Sequence, residues 1–166
     1  MTDEKSWVID VKNAKRYYET VAGTVKALDG VSLQVASGEF LAVAGPSGSG
    51  KSTLLNLVGA LDTPTAGTIC VDGQKLASLK ESELAAIRRD RIGFVFQAYN
   101  LIQVLSVREN VEYVMELQKK PAAHRREKSM AILEAVGLGD KLDRKPTELS
   151  GGQQQRVAVA LSLIHI

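Results

Sequence analysis

The chain is poor in the residues that build disulfide and metal chemistry. Its 166 residues include one cysteine, Cys70, and only two histidines, His124 and His165. A lone cysteine excludes an intramolecular disulfide and any zinc site made of several thiolates, and two histidines argue against a His-based metal centre. Charge of one sign is also scarce: 21 Lys+Arg against 19 Asp+Glu leave a net +2. That surplus makes no case for a nucleic-acid or membrane-surface partner through bulk electrostatics. No run approaches the roughly 18 apolar residues of a membrane span. The start, Met1-Thr2-Asp3-Glu4-Lys5, lacks the basic region and apolar core of a signal peptide. No internal repeat, low-complexity tract or long linker is present. With 45% hydrophobic and 24% charged residues, the composition predicts a soluble, cytoplasmic, globular protein of about one domain.

The hydrophobic pattern divides the chain. Trp7–Val11 and the alternating Val31–Val35 read as strands, and the continuous apolar run Phe40–Ala44 suits a strand buried on both faces. A Gly/Ser loop follows, and Leu54, Leu55, Leu57, Val58 and Leu61 mark a helix. Thr68–Val71 predicts a strand ended by an Asp72-Gly73 turn. Ser78–Glu81 and Ser106–Glu109 each fit a capping box, Ile92–Phe96 reads as a strand ending at Gln97, and Pro121–Val136 as a helix. These patterns predict an α/β nucleotide-binding core with a helical insertion.

Gly45-Pro46-Ser47-Gly48-Ser49-Gly50-Lys51-Ser52 matches G-x-x-x-x-G-K-[ST] between a predicted strand and a predicted helix. Gly48 and Gly50 let successive backbone N–H groups turn inward towards phosphate oxygens, and the following helix adds the positive end of its dipole. Lys51 can reach the β- and γ-phosphates, the Ser52 hydroxyl can join a Mg²⁺ shell, and Thr53 offers a further donor. The loop by itself does not separate an ATPase from a GTPase or a nucleotide kinase.

A second motif makes that separation. Leu149-Ser150-Gly151-Gly152-Gln153, continuing Gln154-Gln155-Arg156-Val157-Ala158, resembles the signature of the ABC-transporter ATPases. Ser150 and two glycines at a helix N-terminus can present donors to a γ-phosphate, and Ser150 also reads as a plain helix cap. The resemblance runs from about Val8 to Ala160. It implies a P-loop core with an N-terminal antiparallel β-subdomain and an inserted helical subdomain, ATP and Mg²⁺ as cofactors, and two ATPase domains paired head-to-tail around two nucleotides. It implies further that Gln97 is the glutamine sensing Mg²⁺ and the attacking water, and that Tyr17, or its neighbour Tyr18, stacks on adenine. The stretches Leu61–Gly67, Arg88-Arg89, Gly93–Gln97 and Glu109–Val111 look most like the LolD/MacB/FtsE branch, whose ATPases serve an integral membrane permease in lipoprotein release, macrolide or peptide efflux, or cell division. Tyr99, Leu101, Ile102 and Val104 read either as helical-subdomain packing or as the surface that receives the permease. The cluster Lys119, Lys120, Arg125, Arg126 and Lys128 reads as a solvated face.

Such a protein is expected at the cytoplasmic face of the inner membrane. The family continues past its signature helix to a strand ending in Asp-Glu, a D-loop and a switch histidine, and no stretch of this sequence matches them. Residues 1–160 therefore read as a partial nucleotide-binding domain. Leu161–Ile166 depart from the family, and they are what CTG-TCT-CTT-ATA-CAC-ATC, a transposon-end sequencing adapter, encodes; they are expected to be a non-native tail, with His165 no switch histidine. The chain is then expected to bind nucleotide without turning it over. The competing reading is a soluble ABC ATPase of translation or DNA repair.

Overall fold

The computed structural model describes residues 7–164; Met1–Ser6, His165 and Ile166 lie outside them. The chain forms two compact units that divide within a helix, after Leu84.

The first unit is an antiparallel sheet carrying one helix. Strands β1 (Trp7–Thr20) and β2 (Gly23–Ala36) pair along their whole lengths, from Trp7↔Ala36 to Thr20↔Gly23. β3 (Ala66–Val71) lies on the other edge of β1, with Val11 opposite Ile69, and the short β4 (Gln74–Lys75) completes the order β2-β1-β3-β4. Asp72 and Gly73 both adopt positive φ, the backbone that an Asp-Gly hairpin turn requires. Helix α1 (Lys51–Val58) packs on this sheet through buried Leu54 and Leu57, beside Val11, Ala14, Leu28 and Ile69. The strands expected at Trp7–Val11 and Val31–Val35 are thus pieces of one long ribbon, because each gives the other a ladder partner well beyond its apolar run.

Two expected strands do not form. Phe40–Ala44 and Ile92–Phe96 carry no ladder hydrogen bonds, and every pairing among the described residues belongs to β1–β4. An apolar run is held as a doubly covered strand only when neighbouring strands satisfy its backbone groups. Without them Phe40 stands 94% exposed and Leu41, Val43, Val95 and Phe96 are also exposed. Phe94 and Phe96 keep the alternation of a strand and stack on each other, with centroids 5.3 Å apart and planes at 11°.

Helix α2 (Glu81–Arg91) does not start from a capping box at Ser78. A 3₁₀ turn, Leu76–Ser78, is anchored by buried Leu76, and the Ser78 hydroxyl donates back to the Lys75 carbonyl. The Glu83 carboxylate instead accepts from the Lys80 amide at 2.7 Å, so the cap forms two residues later.

The second unit is helical: α3 (Val107–Leu117), α4 (Ala122–Ala135) and α5 (Gly151–Leu163). Its core joins Leu101, Val107, Val111, Leu133, Leu138, Leu149, Val157 and Ala160. The capping box at Ser106 and Glu109 forms as expected, and Pro121 is the N-cap of α4. The first amides of α3 are satisfied from outside the helix, Val107 by the Arg144 carbonyl and Arg108 by that of Leu142. α5 continues through Leu161, which packs on this core together with Ile164.

Candidate functional site

The phosphate loop is shaped by two left-handed glycines. Gly48 (φ +78°) and Gly50 (φ +90°) occupy backbone that L side chains rarely adopt. A β-carbon at Gly50 would lie 2.4 Å from the Ala27 carbonyl oxygen and 3.0 Å from Leu28 Cδ2, so the loop sits directly on β2. At Gly48 the same atom would meet nothing within 4 Å. Gly50 is the N-cap of α1, no side chain caps this end, and the first turn holds no acidic residue. The amides of Lys51, Ser52 and Thr53 therefore start the helix without a competing carboxylate, in the arrangement that binds anions. Lys51 Nζ folds back over the loop and donates to the carbonyls of Gly45 (2.8 Å) and Pro46 (2.6 Å) and to Ser49 Oγ (3.3 Å). The loop thus gathers Gly45, Pro46, Ser47, Gly48, Ser49, Gly50, Lys51, Ser52 and Thr53 into one cup with a cation at its lip. A polyphosphate fits this donor set.

Strand geometry separates the two tyrosines. Arg16 pairs with Leu28, the residue that meets Gly50, and Tyr18 follows Arg16 on the same face of β1. The Arg16 guanidinium lies 4.5 Å from the Tyr18 ring centroid, and both side chains converge on Asp62 in the segment after α1. Tyr17 belongs to the opposite face. Its hydroxyl donates to Asp29, which also pairs with Lys15 and Lys26, and Lys26 Nζ lies 5.4 Å from its ring centroid. Tyr18 therefore shares the face of the phosphate loop and Tyr17 does not. Burial would raise the Asp62 pKa, but hydrogen bonds from the Tyr18 hydroxyl, the Thr63 amide and Arg16 outweigh it and hold the carboxyl below its ordinary 3.8. Nothing in the sequence pattern singled out Arg16 or Asp62; their relation exists only once β1 and the α1–β3 connection are side by side.

In the second unit the signature residues form one device. Ser150 Oγ accepts from the Gln153 amide at 3.3 Å, and Gln153 Oε1 accepts from the Ser150 amide at 2.9 Å, a closed capping box at the head of α5. Leu149 is buried in the core while Gly151 and Gly152 are exposed. Both readings of Ser150 are compatible with this geometry, because the cap uses the oxygen as acceptor and leaves the hydroxyl proton free. Gln154 donates to the carbonyls of Pro146 (3.0 Å) and Leu149 (3.2 Å), and Arg156 to those of Val136 and Gly137, fastening α5 to the loop before it and to the end of α4. The motif's residue types alone do not reveal these two fastenings.

Gln97 is exposed in a turn, followed by Tyr99 and Asn100 in left-handed backbone. Of the residues after it, Leu101 is buried, Tyr99 packs on the core, and Ile102 and Val104 are 39% and 76% exposed. Asn110, 3% exposed, holds this segment: its Nδ2 donates to the carbonyls of Ile102, Leu105 and Ser106, and its Oδ1 accepts from the Ile102 amide. Lys119, Lys120, Arg126 and Lys128 are exposed, as a solvated face should be, whereas Arg125 is half-buried and donates to the Lys120 carbonyl at 3.0 Å. A groove of about 940 Å³ lined by Lys119, Lys120, His124 and Lys128 holds none of the sequence-predicted site residues. Among the described residues no cluster of His, Cys, Asp or Glu could hold a metal ion, and no helix is long and apolar enough to cross a membrane.

Comparison with known proteins shows the family. The ABC transporter family model matches residues 28–165. The chain is 49% identical over 158 residues to the macrolide export ATP-binding/permease protein MacB of Hyphomonas neptunium, covering 95% of this chain and 24% of that one. It is 46% identical over 156 residues to an uncharacterized ABC transporter ATP-binding protein of Thermotoga maritima, 94% of this chain and 67% of that one. The chain thus spans about a quarter of the MacB proteins it matches. Its structure superposes on the dimeric ATP-binding cassette MJ0796 bound to ADP and Pi with a TM-score of 0.89 and 42% identity, over 95% of this chain and 69% of that one. With an α/β architecture in which a phosphate loop rests on an antiparallel β-subdomain and a capped signature helix in a helical one, this chain belongs to the ABC transporter family, as an ATP-binding cassette.

Proposed function

We propose that the chain binds ATP with Mg²⁺ through Gly45–Thr53 and serves as the energy-supplying part of a MacB-like exporter. The observation that carries this reading is the head of α1, uncapped at a left-handed Gly50 with the Lys51 ammonium over the loop carbonyls. Phosphate oxygens would take the amide donors and draw Lys51 from those carbonyls. The Ser52 hydroxyl is a hard donor suited to Mg²⁺, which supplies charge neutralisation on the β- and γ-phosphates when bound. Adenine is assigned to Tyr18 rather than Tyr17, on the ring face opposite Arg16, because Tyr18 shares the phosphate-loop face of β1.

Ser150, Gly151 and Gly152 would meet the γ-phosphate of a nucleotide held by a second cassette in a head-to-tail pair, with Leu149 and Gln153 shaping that turn. Exposed Ile102 and Val104 would receive an integral membrane permease of the lipoprotein-release or macrolide-efflux type, placing the protein peripherally on the cytoplasmic face of the membrane. Hydrolysis needs a carboxylate to polarise the attacking water, and no Asp-Glu strand end stands in this sequence; the chain alone is therefore expected to bind without turnover. Titration calorimetry with MgATP tests the reading. Saturable binding that Lys51→Ala weakens at least about tenfold supports it, and binding indifferent to that substitution refutes it.

A further inference from the structure

We propose that Asp62 is a positioning residue that gauges the adenine platform against the phosphate loop, by holding Arg16 and Tyr18 of β1 on the segment leaving α1. This rests on the assignment of adenine to Tyr18. Both carboxylate oxygens are fully used. Oδ1 takes the Arg16 guanidinium at 2.7 Å and the Thr63 amide at 2.8 Å, and Oδ2 takes Arg16 Nε at 2.9 Å and the Tyr18 hydroxyl at 2.8 Å. A two-pronged guanidinium–carboxylate contact fixes orientation as well as distance. Arg16 in turn lies over one face of the Tyr18 ring. The ring is therefore pinned at its hydroxyl and along one face, and a base stacks on the other.

Asp62 is tied with equal firmness to the phosphate-loop helix. The amides of Leu61 and Asp62 both donate to the Asn56 carbonyl, at 2.8 and 3.3 Å, so the segment turns back on the last turn of α1. Three residues further on, the Thr65 amide donates to the Lys15 carbonyl and Thr65 Oγ1 accepts from the Tyr17 amide. The stretch from Asp62 to Thr65 therefore grips β1 from Lys15 to Tyr18. α1 is a short rigid spacer of eight residues, about 12 Å at 1.5 Å per residue. Its N-terminus cradles phosphates, and its C-terminal segment carries the carboxylate that aims the adenine platform. One nucleotide is thus held at both ends by one helix.

The full chain tests this with two ligands, MgATP and Mg-tripolyphosphate, which has the phosphates without the base. Asp62→Ala is expected to weaken MgATP about tenfold, the size of one aromatic contact, while tripolyphosphate affinity stays within about twofold. Tyr18→Ala should give the same selective loss, and the double substitution should lose no more than either alone. Arg16→Lys, which keeps the charge without the fork, provides a milder variant should Asp62→Ala fail to fold, with a smaller loss confined to MgATP. Equal weakening of both ligands, or an unchanged ratio between them, overturns the inference. If Tyr17→Ala removes the ATP preference and Tyr18→Ala does not, the adenine assignment itself fails. If Tyr18→Ala removes it and neither Asp62→Ala nor Arg16→Lys does, only the role of Asp62 fails.

Discussion

The α-carbon of Gly50 faces the carbonyl oxygen of Ala27 so closely that a β-carbon would stand 2.4 Å from it. The phosphate loop is thus seated on the backbone of β2, and the second glycine of the motif is required by packing as well as by its left-handed φ of +90°. Gly48 has a similar φ of +78° and open space around it. The two glycines answer different demands.

Alanine substitution should separate them. Gly48→Ala is expected to cost about 1–2 kcal/mol, the strain of a left-handed L residue. Gly50→Ala adds a backbone collision to that strain, and it should cost more and displace the loop from β2. Urea titrations of the two variants check the order, and a Gly50→Ala protein as stable as Gly48→Ala would contradict it.

Lys51 makes its hydrogen bonds to exposed loop carbonyls. Lys51→Ala should therefore leave thermal stability nearly unchanged while removing a charge-assisted phosphate contact of about 1.5–3 kcal/mol, roughly ten- to hundredfold in MgATP affinity. Melting curves and calorimetry on the same preparation measure both sides.

Asn110 is the hub of the segment between Ile102 and Ser106. Asn110→Leu removes the side-chain partner of the Leu105 carbonyl and the Ile102 amide, while the Ile102 and Ser106 carbonyls keep backbone donors, and it should cost about 1–3 kcal/mol. Hydrogen exchange should show the Ile102 amide losing its protection first. An unchanged exchange rate there would mean that the side chain does not hold the segment.

Asp62 sets an acid limit on the first unit. Its carboxyl is held below the ordinary 3.8, so its contribution is fully present above that value and disappears as pH falls through the lower, folded-state value. The stability advantage of the native chain over Asp62→Asn should be constant above about pH 5 and shrink steadily below about pH 4. Denaturant midpoints measured at several acid pH values test this, and an advantage that persists unchanged in acid would rule it out.

Much of the site was legible in the sequence because its signals are local. A glycine-lysine-serine run after an apolar stretch specifies a helix start that binds anions, and serine followed three residues later by Glu or Gln specifies the caps at Ser106 and Ser150. The cap expected at Ser78 shows the limit of such signals. Burial of Leu76 closed a 3₁₀ turn first and moved the helix start to Lys80. A capping pattern competes with whatever the neighbouring apolar residue must bury.

By itself the sequence determined the local motifs: a glycine-rich helix start at Gly45–Thr53, a capped helix start at Leu149–Gln153, and a fold class in which these motifs have a place. All of that is encoded within a few residues of each site. The tertiary structure decided what depends on distant partners. It left Phe40–Ala44 and Ile92–Phe96 unpaired, since strands exist only where another strand satisfies their backbone groups. It also put Tyr18, and not Tyr17, on the face of β1 that meets α1, since strand register and an inserted residue in β2 determine that face, and neither is written in the two adjacent tyrosines. Asp62 came last, because a carboxylate acquires its partners only after the segment carrying it has been folded against β1.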